Sequence, residues 1–169
     1  MLCILAKIDE AGRQELLKVQ SVARDFGICP KELHGHVTLA CYVGSDEGSF
    51  IDSCREKLRA EHPFMIYYDH IDVFEVSSVI AAAPRREEKI ECVHKDISDN
   101  WSEELNCWTK ENVWLPHTTL LQDKDADLMA IAEAMKKKFR PFSARVTELE
   151  FSRVLENNKY EIVGTIPLV

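Results

Sequence analysis

Two short stretches carry the residues best suited to chemistry: His36-Val37-Thr38-Leu39, inside HGHVTLACY (34–42), and His117-Thr118-Thr119-Leu120, inside LPHTTLL (115–121). Six histidines and six threonines scattered at random through 169 residues give about 0.2 H-x-T triplets, so two, each followed by leucine, form a signal. The residue types suit transfer at phosphorus. Such a reaction needs a base on the entering oxygen and an acid on the leaving oxygen, and two imidazoles with ordinary pKa values near 6.5 hold opposite protonation states around neutrality. Threonine hydroxyls donate to the non-bridging oxygens on which negative charge sits. The sequence leaves open which histidine is acid and which is base.

Both phrases read as strands. Alternation puts His36, Thr38 and Ala40 on one face against Val37 and Leu39, and His117, Thr119 and Leu121 against Thr118 and Leu120. The aliphatic set belongs to a core beneath helices. The histidines and threonines then look away from it, and they converge only if the two halves of the chain face each other.

The surrounding pattern supplies such halves. LCILAKI (2–8) predicts a strand, 13–27 a helix with Leu16, Leu17, Val19, Gln20, Ala23 and Phe26 along its inward stripe, 36–42 the first motif strand, and 46–61 a helix capped by Ser45 or Asp46. Residues 64–75 predict a long strand. The plan then repeats: a strand over 77–84, a helix over 87–101, the second motif strand over 113–121, and a helix over 125–139 with its lysines in the last turn. Strands over 142–155 and 159–169 close the chain, joined by a turn at Glu156, Asn157 and Asn158. The expectation is one α+β domain spanning 1–169, a duplicated β-α-β-α-β arrangement with pseudo-repeat lobes at about 1–76 and 77–169. Two antiparallel-rich sheets would face a central cleft, with helices outside.

HVTL, the later PHTTL with Pro116, the strand–helix opening and Tyr160 near the last strand together resemble the 2H phosphoesterase superfamily, the 2′–5′ RNA ligase-like or cyclic phosphodiesterase family. The resemblance spans nearly the whole chain. It implies a bilobal α+β fold with a water-filled cleft and chemistry without metal or other cofactor. It also implies a substrate with a nucleotide or RNA-end phosphodiester, such as a 2′,3′-cyclic phosphate or a 2′–5′ linkage. By position His36 and His117 are the catalytic pair, and Thr38 and Thr119 bind the phosphate. The rival reading is a nucleotide- or RNA-end-binding module that uses the same groove without turnover.

Other features narrow the class. The net charge is −8, from 21 basic and 29 acidic residues, which argues against wrapping long nucleic acid but not against a small phosphate ligand. Six cysteines show no C-x-x-C pair and no zinc spacing, and read as buried, reduced thiols of a cytoplasmic protein. His34-Gly35-His36 invites a metal reading, but no third ligand stands nearby, so no metal site is expected. No apolar run reaches the length of a membrane span, MLCILAKIDE is too short for a signal segment, and a monomer is expected. Tyr42 and Tyr160 are the aromatic candidates for the groove. Arg85, Arg86 and Lys159 read as charged turns, His62 and His70 as surface positions, and His94 as an exposed helix residue.

Overall fold

The structure, a computed structural model, describes residues 1–155 and 160–169; the expected turn at Glu156–Asn158 and Lys159 lies outside the described residues. Seven strands, β1 (Leu2–Ile8), β2 (His36–Tyr42), β3 (Phe64–Phe74), β4 (Val79–Pro84), β5 (Thr118–Gln122), β6 (Phe142–Val154) and β7 (Tyr160–Pro167), accompany four α-helices. These are α1 (Glu10–Gln20), α2 (Glu47–Leu58), α3 (Glu88–Ser98) and α4 (Leu128–Lys138). The fold is α+β, and every strand pairing is antiparallel.

Hydrogen bonding joins all seven strands into one sheet, ordered β2-β1-β6-β3-β4-β5 with β7 also on β6, where two sheets were expected. The reason is the length of β6, which runs for 13 residues. Its residues 146–153 pair with β1 along one edge, while 142–146 pair with β3 and 148–154 with β7, one after the other. A single long strand thus serves both halves of the sheet.

The helices begin where short polar side chains satisfy their first N–H groups. Asp9 accepts from Gly12 N–H, Asp46 from Ser49 N–H and Asp127 from Ala130 N–H. Leu16, Phe50, Ile90 and Ile131, one from each helix, enter a single core with Val37, Leu39 and Leu120 from the motif strands. The helix expected over 13–27 stops being α-helical at Gln20 and continues as a 3₁₀ helix over Ser21–Phe26, ended by Gly27 at φ 76°. Three residues per turn rotate the apolar stripe off the core, which leaves Phe26 exposed rather than inward.

The motif strands carry the same irregularity at the same place. In the β1–β2 register Ile4 is opposite Ala40 and Leu5 is opposite Thr38, so Leu39 has no partner. In the β4–β5 register Ile80 is opposite Leu121 and Ala81 is opposite Thr119, so Leu120 has none. Each motif leucine is therefore the extra residue of a β-bulge, a device that re-aims side chains at a strand's end. The alternation slips by one beyond it. Ala40 and Leu121, expected beside the histidines, are in the core instead. Tyr42 follows them, 1% exposed and stacked on Phe50 with ring centroids 4.6 Å apart, so it is not a groove aromatic.

Candidate active site

A bulge strands a carbonyl, and both stranded carbonyls are met by a helix side chain from the opposite half of the chain. Leu39 C=O accepts from His94 Nδ1 of α3 at 2.7 Å, and Leu120 C=O accepts from Gln20 Nε2 of α1 at 2.9 Å. His94 is thus 3% exposed rather than a surface residue, and its ring stacks on Trp114 at 4.0 Å. Neither cap was legible as such: each looks like one more residue of an amphipathic helix.

β2 and β5 are the terminal strands of the sheet, yet they are clasped together. Thr118 Oγ1 donates to His36 C=O at 2.8 Å and in turn bonds the Tyr68 hydroxyl at 2.6 Å. Trp114 Nε1 donates to Thr38 C=O at 2.8 Å. Further along β2, Asn106 N–H donates to Cys41 C=O and Cys41 N–H donates to Thr109 Oγ1. The open edge of β2 is therefore covered by the segment that leads into the second motif. That clasp holds the backbone of His36 and Thr38 against the segment that carries His117 and Thr119. Thr118, read from the sequence only as a residue of the opposite face, is the link between the two phrases.

His117 stands just before β5, because Pro116 has no N–H to offer a ladder. Its Nδ1–H donates to Leu115 C=O at 2.8 Å, which directs Nε2 outward, and its ring meets the edge of Phe74 at 4.9 Å. His36 differs: its Nδ1 is buried and without a partner among the described residues. Burial lowers the pKa of both rings. His36 is pushed down to about 3 by burial, then by the neighbouring imidazoles of His34 and His117. For His117, burial is opposed by the Leu115 carbonyl and by the Asp72 carboxylate. Thr38 is half-buried and Thr119 exposed, and among the described residues neither hydroxyl has a hydrogen-bond partner.

Around this centre lie further groups, and Glu150 among them is one the sequence did not single out. Glu150, 1% exposed on β6, accepts from His34 at 3.0 Å and from Ser152 Oγ at 3.3 Å, with Lys7 Nζ at 3.7 Å. His34 touches both His36 and Tyr160, with ring centroids 5.2 and 5.5 Å apart, so Tyr160 does stand at the edge of the site. Across the sheet, His70 is bonded by Asp69 and Asp72, the latter at 3.1 Å. Arg85 pairs with Asp69 at 3.4 Å and Arg86 with Glu91 at 2.6 Å. Cys3 and Cys54 are buried, but Cys29, Cys92 and Cys107 are exposed, against the expectation of buried thiols; all six are free. No three potential metal ligands are grouped among the described residues. A cavity of about 370 Å³ opens beside His34 between Lys7 and Arg13, and another of about 370 Å³ lies at His94 and Trp114. Neither is lined by a motif histidine. Among the described residues no helix is long and apolar enough to cross a membrane.

The family model of the 2′–5′ RNA ligase superfamily matches residues 14–158, which include both motifs. The chain belongs to that superfamily, the 2H phosphoesterases. No curated protein matches the sequence. Among solved structures, TT0787 of Thermus thermophilus superimposes with a TM-score of 0.72 at 18% identity, over 99% of this chain and 97% of that one. E. coli LigT complexed with NADP+ gives 0.65 at 16% identity, and LigT complexed with 3′-AMP gives 0.63 at 14%, each over 99% of this chain and 96% of LigT. At these identities the likeness is one of fold.

Proposed function

We propose that this member of the superfamily is a metal-independent phosphodiesterase that hydrolyses 2′,3′-cyclic phosphates or 2′–5′-linked nucleotide or RNA-end substrates. In this reading one domain carries a site built from both halves. His36 and His117 exchange protons with the entering and leaving oxygens, and Thr38 and Thr119 donate to the non-bridging oxygens. The observation that carries the reading is the clasp from Thr118 to His36 C=O, which joins two bulged copies of one motif at their histidines. A nucleotide-binding module has no need for two imidazoles held in different electrostatic surroundings. The LigT complexes with NADP+ and 3′-AMP support a nucleotide as ligand for this fold.

The test is a substrate panel of 2′,3′-cyclic nucleotides and 2′–5′ and 3′–5′ dinucleotides, assayed in EDTA with products resolved by phosphate position. Turnover of a cyclic phosphate or a 2′–5′ bond in EDTA is the expected result. Nucleotide binding without turnover of any member would favour the binding module, and rescue of a silent enzyme by one divalent cation would defeat the metal-free chemistry.

A further inference from the structure

Each motif threonine begins a row that crosses three strands and ends on a carboxylate. Thr38 is opposite Leu5, and Leu5 is opposite Glu150. Thr119 is opposite Ala81, and Ala81 is opposite Asp72. Directly opposed residues of antiparallel strands share a face, so both carboxylates lie on the face of the motif histidines. Each also holds a second imidazole, His34 on Glu150 and His70 on Asp72.

The rows differ in the charge that reaches the motif histidine. Glu150 is buried under His34, Ser152 and Lys7, and what His36 meets is the His34 ring. Lys7 also stands directly opposite His36, with Glu148 beyond it on β6. Asp72 is half exposed, and its partner His70 is shared with Asp69, which Arg85 also engages. Phe74, two residues along the same face from Asp72, packs on the His117 ring. The second imidazole against His36 disfavours a positive charge there, whereas the Asp72 carboxylate on the His117 side favours one on His117.

We infer that Asp72 and the Glu150–His34 pair are positioning residues that keep the proton of the histidine pair on His117, making His117 the acid and His36 the base. The inference rests on the phosphodiesterase reading above. As the bond from water oxygen to phosphorus forms, neutral His36 takes the water proton. As the bond from phosphorus to the 2′ or 3′ oxygen breaks, His117 gives that oxygen its proton, and exchange with solvent restores both rings. The directions of the titrations agree. Burial depresses both rings, but His36 is depressed further by its imidazole neighbours, while Leu115 C=O and Asp72 act to raise His117. Two groups whose surroundings push them apart in this way fall into base and acid.

The experiment uses Asp72→Asn and His34→Gln, which preserve shape and hydrogen bonding. Imidazole titrations followed by NMR should move the His117 midpoint down by about one unit in Asp72→Asn and the His36 midpoint up in His34→Gln. On a 2′,3′-cyclic nucleotide, Asp72→Asn should lose about ten-fold at pH 7. On a nucleoside p-nitrophenyl phosphodiester, whose leaving group needs no proton, it should lose less than about two-fold, and His117→Ala should likewise be spared relative to His36→Ala. Unmoved midpoints in both variants, or equal losses on the two leaving groups, would overturn the inference. If the wild-type protein turns over neither substrate the phosphodiesterase reading fails, and the NMR midpoints still decide whether Asp72 and His34 split the pair.

Discussion

Thr118→Val is the sharpest perturbation of the clasp. The substitution keeps volume and β-branching but deletes a hydroxyl that is 2% exposed and serves two groups at once, the His36 carbonyl and the Tyr68 hydroxyl. Leaving a buried polar group without a partner costs about 1–3 kcal/mol, so the two together should lower stability by about 2–6 kcal/mol. The functional effect should be separate. With the link gone, the Trp114 bond to Thr38 C=O still joins the strands but His36 loses its own tie to the second motif, and a misplacement of about 1 Å at a reacting centre costs on the order of 10²-fold in rate. Urea unfolding gives the first quantity, and kcat on the best substrate of the panel, at a temperature where the variant is folded, gives the second. Thr118→Ser retains the hydroxyl and should recover most of the rate. A Thr118→Val protein as stable and as fast as wild type would refute the idea that this hydroxyl joins the motifs.

Thr38→Val and Thr119→Val should each reduce turnover by about 10- to 1,000-fold, by analogy with loss of an oxyanion donor, with unchanged circular dichroism; intact kinetics in both would make them strand formers only. Gln20→Leu and His94→Leu should each cost about 1–3 kcal/mol in chemical unfolding by exposing a motif-leucine carbonyl, and thermal midpoints equal to wild type would mean the bulges hold without their caps. Because both motif histidines titrate below their ordinary range, His36 at about 3, kcat/KM should decline as pH rises through neutrality rather than peak there; a plateau reaching pH 8 would contradict this. The same depression makes the unfolded chain bind a proton at His36 that the folded chain does not, so its contribution to stability is lost as pH falls from 6.5 toward 3, and His36→Asn should flatten that part of the stability–pH curve.

The motif residues are more legible in the sequence than the geometry that holds them. His36, Thr38, His117 and Thr119 stand out because a rare triplet recurs, and the helix start at Asp46 follows from capping chemistry. A bulge leaves no such mark. One extra residue at Leu39 and another at Leu120 reverse the faces of Ala40, Tyr42 and Leu121, and nothing in HVTLACY or HTTLLQ distinguishes that from regular alternation. Glu150 reads as a polar residue on an alternating strand, and only the meeting of β1, β6 and the His34 segment turns it into a buried counter-ion. His94 was hidden for a related reason: a polar side chain on a helix counts as solvent-facing until the strand beneath it lacks a hydrogen-bond partner; Gln20 falls on the inward stripe of its helix, but nothing in the sequence marks it as a cap for Leu120. The division into two sheets failed on β6, whose 13 residues look like one strand of one half and in fact pair with strands of both.

The central claim is that His36 and His117 act in one transition state, and single-turnover kinetics on wild type, His36→Ala, His117→Ala and the double variant test it most directly. With a substrate whose leaving oxygen needs a proton, each single variant should lose about 10²- to 10⁴-fold in turnover with a much smaller loss in substrate affinity. The double variant should lose less than the product of the two, since removing one partner already disables the paired proton transfers. Either single variant keeping near-full turnover while binding collapses, or losses that simply multiply, would contradict the account.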